Sequence, residues 1–158
     1  LVSALSKADV PIVAHIGLLP QSVDPKVGYR AQGREAIGAA QLLQTAKRLE
    51  EAGASMLLLE AVASEVAGVI TRQSHLPVIG CVSGPHCDGT VVVLHDMLGL
   101  SAGHRPRAVK QYEDLSGVLG RAFKAYADDI HANRFPVEQD AIHMKPGEYD
   151  KFIAMISG

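Results

Sequence analysis

The sequence has almost no surplus charge. Fifteen Lys and Arg stand against seventeen Asp and Glu, leaving a formal net charge of −2 and a pI near 6.4. That balance excludes a polybasic surface built to neutralise phosphates, so nucleic acid is not an expected partner. Long hydrophobic runs are also missing. Runs such as Met56–Leu59 and Val91–Leu94 are strand-sized and far from the ~20 residues of a membrane span, so no membrane association is expected. Cysteine is sparse: Cys81 and Cys87 cannot make a disulfide framework, and a cytoplasmic setting is the expectation. The chain opens at Leu1 without a Met and without a charged, Ser-rich or signal-like leader. The expectation is that it does not start where its gene does. What is plentiful is core material, 47% hydrophobic residues in 158, enough for one ordinary folded domain.

The apolar pattern predicts strands alternating with helices. Pro11–Leu18 is a short apolar run interrupted by His15, as in a strand buried on both faces. Pro20–Arg34, with two Pro, two Gly and no period, predicts a long loop, a class that is usually functional or disordered. Leu42, Leu43, Ala46 and Leu49 share one face of a helix over Ala39–Ala52, and Gly53 is placed to end it. Ser55–Val62 and Leu76–Val82 predict two further strands, with a helix between them capped by Ser64. Thr90–Leu94 favours a fourth strand, although it also suits the start of a helix. A helix over Ser116–Asn133 turns Val118, Leu119, Phe123, Tyr126 and Ile130 inward, and an irregular tail ends in a short helix at Glu148–Ile156. About four βα units make an α/β protein with a parallel sheet, either open or half of a (β/α)₈ barrel, since a whole barrel needs ~250 residues. The expected division is a half-barrel over 1–134 and an irregular tail over 135–158.

Reactive groups in parallel α/β folds lie at the C-terminal ends of strands. Glu60 ends an apolar strand, where a carboxylate is expensive to leave unpaired. It is either a structural residue bonded to a cation or backbone amide, or a general base in an apolar pocket. His15 is either a satisfied core histidine or a ligand-binding one. His95 and Asp96 read best as a hydrogen-bonded cap on the next segment. The loop Gly80–Gly89 is neither a dinucleotide fingerprint nor a nucleophile elbow. Cys81, His86 and Cys87 lack a Cys-x-x-Cys pair and a fourth partner, which argues against zinc. Its glycines suit close approach of backbone to a ligand.

Together, Pro11–Arg34, Glu51–Val62, Leu76–Leu100 and, weakly, Phe135–Met144 resemble the C-terminal half of ketopantoate hydroxymethyltransferases. The blocks H-x-G-L-x-P-Q-S (His15–Ser22) and G-Y-x-x-Q-G-R (Gly28–Arg34) carry most of that resemblance. It implies a (β/α)₈ barrel of the phosphoenolpyruvate/isocitrate lyase kind, Mg²⁺-dependent and oligomeric. The implied reaction moves a one-carbon unit from 5,10-methylenetetrahydrofolate to 3-methyl-2-oxobutanoate, giving 2-dehydropantoate in the pantothenate pathway. The family's catalytic base falls on Glu60, and its histidine that binds the ketoacid falls on His15.

Two departures accompany the resemblance. Where the family usually reads G-I-G-A-G, this chain reads G-C-V-S-G, so that Val82 and Ser83 bear on ligand fit. The family's metal-binding acids, a neighbouring Ser and a Lys that meets the ketoacid belong to the other half of the barrel. No metal ligand is therefore assigned here, and those for Mg²⁺ are expected from the missing N-terminal half. The expected partners are the ketoacid, the folate, and either further copies of the chain or a complementary half-barrel. Two alternatives stand beside this: a non-catalytic half-barrel that assembles with or regulates a partner, and another carbon–carbon lyase of the same superfamily.

Overall fold

A computed structural model of the chain describes residues 1–24, 28–101 and 107–157. It divides into two compact units, Leu1–Glu113 and Asp114–Gly158.

The first unit is an α/β layer. Helix α1 (Val2–Ser6) leads into β1 (Val13–Gly17), followed by α2 (Ala36–Glu51), β2 (Met56–Glu60), α3 (Ser64–Gln73), β3 (Val78–Cys81), β4 (Gly89–Thr90) and α4 (Leu94–Met97). The strands form one parallel sheet in chain order, β1-β2-β3-β4. Parallel neighbours joined by right-handed crossovers put successive helices on the same side of such a sheet. The packing agrees. Ala14, Ile16, Leu57, Leu59 and Val78 point to one face and share a core with Ala46 of α2 and Ala67 and Ile70 of α3.

The alternate residues of the strands point the other way. His15, Met56, Leu58, Glu60, Ile79 and Cys81 are only half-buried, and Val13 is 57% exposed. The sheet therefore has a helix-covered face and a bare one. Strand periodicity alone does not separate the two, because both faces are largely apolar.

Local chemistry sets the boundaries. Gly53, at φ +94°, follows the C-cap Ala52 of α2 as expected. Ser64 does not cap α3: Ala63 is the N-cap and Ser64 is already helical. Its hydroxyl instead lies where a Cβ on Gly84 would strike it, which holds that position to glycine. The fourth strand is shorter than Thr90–Leu94. Only Gly89–Thr90 pairs, Val91–Val93 leave the sheet exposed, and Leu94 opens α4. The expected loop Pro20–Arg34 contains a single 3₁₀ turn at Pro20–Ser22; its residues 25–27 lie outside the described residues.

In the second unit, α5 (Leu115–His131) starts at the Asp114 cap, whose carboxylate accepts from the Gly117 N–H at 3.1 Å. Helix α6 (Glu148–Ile156) lies where the sequence places it. Val118, Leu119, Phe123, Tyr126 and Ile130 do form one apolar stripe on α5, but all five are exposed rather than inward. Periodicity identifies which face is apolar, not whether anything covers it. Among the described residues no helix is long and apolar enough to cross a membrane.

Candidate active site at the strand ends

Register brings the chemistry together. Gly17 lies beside Glu60 on the neighbouring strand, and Glu60 lies beside Cys81. His15, two residues before Gly17, faces the same bare side of the sheet. Its Nε2 stands 3.0 Å from Oε2 of Glu60, with the two side chains 29% and 22% exposed. That contact lacks hydrogen-bond geometry, so among the described residues Nε2, itself shielded from solvent, has no hydrogen-bond partner. The two strongest candidates in the sequence thus meet each other. Among the described residues, the Glu60 carboxylate is held by neither a Lys, an Arg nor a backbone amide.

The backbone around Glu60 is gripped from three sides. Its carbonyl accepts from Leu18 N–H at 2.8 Å, and Ala61 N–H donates to the Cys81 carbonyl at 2.9 Å. Gln32, from the G-Y-x-x-Q-G-R block, donates its N–H to Ala61 C=O at 2.7 Å and accepts from Ala63 N–H at 2.9 Å. The block therefore acts as a backbone clamp just beyond Glu60. On the third side, Ser83 is 2% exposed and its hydroxyl lies 2.8 Å from Leu59 C=O and 3.2 Å from Val62 N–H.

Left-handed backbone marks the ends of three adjacent strands, at Gly17 itself and one residue past Glu60 and Cys81. Gly17 (φ +98°), Ala61 (φ +50°) and Val82 (φ +55°) follow one another across the sheet. Gly17 has no choice, because a Cβ there would fall 2.3 Å from Glu60 O. Val82 is the outlier, since a β-branched residue is rarely found in this region.

Cys81 borders Glu60 on the bare face. Burial pushes its thiol above the ordinary range, and the nearby Glu60 and Asp96 carboxylates add to the rise, so it stays protonated at neutral pH. Cys87 packs on the opposite side against the helix-covered core. Its thiol is raised mainly by burial and also by Asp88, against a lowering hydrogen bond from Thr71. His86 lies against Gly68 of α3. The three residues of the zinc reading do not converge, and among the described residues no group of three or more His, Cys, Asp or Glu is placed to hold a metal ion.

His95 and Asp96 lie within α4 rather than ahead of it, and Asp96 accepts a hydrogen bond from Ser101 Oγ. A cavity of about 360 Å³ opens at the end of β1, lined by Gly17, Leu18, Ser22, Asp24, Arg30 and Gln32 among others. Neither His15 nor Glu60 lines it. Sequence reasoning missed the structural roles of Ser83 and Gln32, since a serine in a glycine-rich loop reads as solvent-facing.

The family model for ketopantoate hydroxymethyltransferase matches residues 1–138. Among curated relatives, each named 3-methyl-2-oxobutanoate hydroxymethyltransferase, the Streptomyces coelicolor protein is 46% identical over 142 residues, 90% of this chain and 48% of the relative. That of Cenarchaeum symbiosum is 44% identical over 94% of this chain and 57% of the relative. That of Nitratidesulfovibrio vulgaris (strain DP4) is 41% identical over 98% of this chain and 50% of the relative. The chain spans about half the length of these relatives.

Proposed function

This chain belongs to the ketopantoate hydroxymethyltransferase family, and from that membership we propose that it is the C-terminal half of a (β/α)₈ barrel that transfers a hydroxymethyl group to 3-methyl-2-oxobutanoate. The donor in this reading is 5,10-methylenetetrahydrofolate and the product 2-dehydropantoate. Two features support the half-barrel. The sheet runs in chain order with its helices on one face, and its other face is apolar and bare, as the lining of a closed barrel is. The matched relatives are about twice as long. The division into a half-barrel over 1–134 and a tail over 135–158 belongs to the same reading, as do cytoplasmic location and homo-oligomeric assembly.

The observation that carries the function is the His15–Glu60 pair at the C-terminal ends of β1 and β2. In the proposed reaction the Glu60 carboxylate removes the proton from the carbon next to the keto group. The electron pair moves towards the keto oxygen, and the resulting enolate carbon bonds to the methylene carbon carried by the folate. Both bonds from that carbon to folate nitrogens break, a water supplies the new hydroxyl, and tetrahydrofolate leaves with the α-proton and the second water proton on its nitrogens. His15 Nε2, shielded and without a hydrogen-bond partner, is available to the ketoacid oxygen as charge develops on it, where such a bond contributes most. The residues described here do not fit a Mg²⁺ site, so no step is routed through one. In this reading its ligands lie in the half of the barrel that this chain does not span.

The test supplies the missing half. Completed with a polypeptide carrying the first four βα units, the chain exchanges the α-proton of 3-methyl-2-oxobutanoate with solvent, as followed by NMR. Glu60→Gln lowers that exchange by about 10²–10⁴-fold, the usual contribution of a general base. A well-folded pair that exchanges nothing refutes the assignment, and exchange surviving in Glu60→Gln refutes Glu60 as the base.

A further inference from the structure

We infer that Ser83 is a positioning residue for Glu60, clasping the backbone on both sides of it. The inference rests on the assignment of Glu60 as base and adds a part that neither the family resemblance nor the composition of the loop supplies. The Ser83 hydroxyl reaches across from the end of β3 to β2. It donates to Leu59 C=O at 2.8 Å, with Cys81 C=O a secondary acceptor at 3.2 Å, and it accepts from Val62 N–H at 3.2 Å. Leu59 immediately precedes Glu60, and Val62 follows it by two residues. One hydroxyl, donating its single proton and accepting through one lone pair, therefore brackets the segment Leu59–Val62.

That segment needs holding. Ala61 is left-handed at φ +50°, a conformation that an alanine does not keep without support from its surroundings. The adjoining residue in the loop, Val82, is left-handed as well at φ +55°, and this turn drives Ser83 inward to 2% exposure. Gly80 contributes space: a Cβ there would fall 2.9 Å from Cys87 Sγ and 3.5 Å from Ser83 Cβ. The Val82–Ser83 departure from the family's usual G-A thus works as a unit. Val82 supplies the turn and Ser83 the clasp, and the clasp fixes the direction in which the Glu60 carboxylate leaves its strand.

The experiment uses the completed barrel, with Ser83→Ala and the near-isosteric Ser83→Cys. Two readouts are taken, α-proton exchange of 3-methyl-2-oxobutanoate and hydrogen–deuterium exchange over residues 59–62. In both variants kcat falls by about tenfold with KM within about twofold, as displacement of a base by a fraction of an ångström predicts. Amide protection at Val62 falls with it, while protection within α2 is unchanged. In the Val82→Gly background the same Ser83→Ala step has a smaller effect, because the glycine removes the strain that the clasp opposes. Unchanged kcat overturns the inference. So does a loss of activity that only tracks the fraction of folded protein. If wild-type protein exchanges no ketoacid proton, the functional reading fails by itself. Amide exchange at Val62 in the Ser83 variants then decides the clasp independently, and unchanged protection there overturns it.

Discussion

His15 Nε2 and Glu60 Oε2 stand 3.0 Å apart on adjacent parallel strands, close enough to attract and too poorly aligned to hydrogen-bond. A structural ion pair would align, since nothing gains from leaving a shielded nitrogen unsatisfied. A pair kept near each other but unbonded suits a site whose partners are completed by a ligand.

His15→Ala in the complete protein is expected to lower kcat/KM for the ketoacid by about 10²-fold, comparable to removing one donor to a developing oxyanion. The stability of the fold should change little, because His15 lies on the bare face rather than in the core beneath the helices. Steady-state kinetics beside a thermal melt separate these effects. A large fall in Tm with little kinetic change would make His15 a packing residue.

Gly17→Ala is expected to destabilise the first unit by more than about 2 kcal/mol, through a positive φ and a clash that cannot relax. The new Cβ would meet Glu60 O at 2.3 Å, a backbone atom fixed by Leu18 N–H. Denaturant unfolding checks this, and a loss below about 0.5 kcal/mol, typical of a neutral surface change, would show that the strand ends shift freely.

Val82→Gly is expected to stabilise the chain modestly. A left-handed conformation disfavours an L-residue by roughly 1–2 kcal/mol, against roughly 0.5–1 kcal/mol of extra backbone entropy that a glycine loses on folding. The difference is a gain of roughly 0–1.5 kcal/mol, reduced by the half-buried methyls that the glycine gives up. A Tm at or below the wild-type value would mean that those methyls outweigh the strain.

Cys81 and Cys87 both have thiols raised above the usual value. A folded-state pKa above the unfolded one stabilises fully below the unfolded value and is lost as pH rises through the folded one. Stability should therefore be level in these groups up to a pH of roughly 8.5 and decline above it. Melting curves between neutral and alkaline pH test the sign. Glu60→Gln should also speed alkylation of Cys81 at a fixed pH, though modestly, because burial is the larger cause.

Much of this was legible in the sequence, for identifiable reasons. The apolar run before Glu60 fixed both a strand and its end, and α6 lies at its expected residues because a glycine opens it and an apolar period fills it. The valines at 91–93 misled because β-branching favours strands only where a neighbour offers a ladder, and β3 has finished at Cys81. Ser64 looked like a cap, but Ala63 occupies that place and the hydroxyl crowds Gly84 instead. Ser83 was unreadable as a buried residue, because it follows Val82, which adopts a backbone state that valine avoids. In the second unit, the stripe on α5 was legible as a stripe and not as a surface.

The chain-ordered sheet leaves β1 and β4 each with one neighbour, so its backbone donors and acceptors run out on two sides at once. A completing partner that paired with only one of them would still leave the other, and the apolar face between them, in water. Closure is therefore expected to be cooperative: half-engaged intermediates gain little, so association with one partner should be two-state, with simple one-to-one saturation and no populated half-paired species.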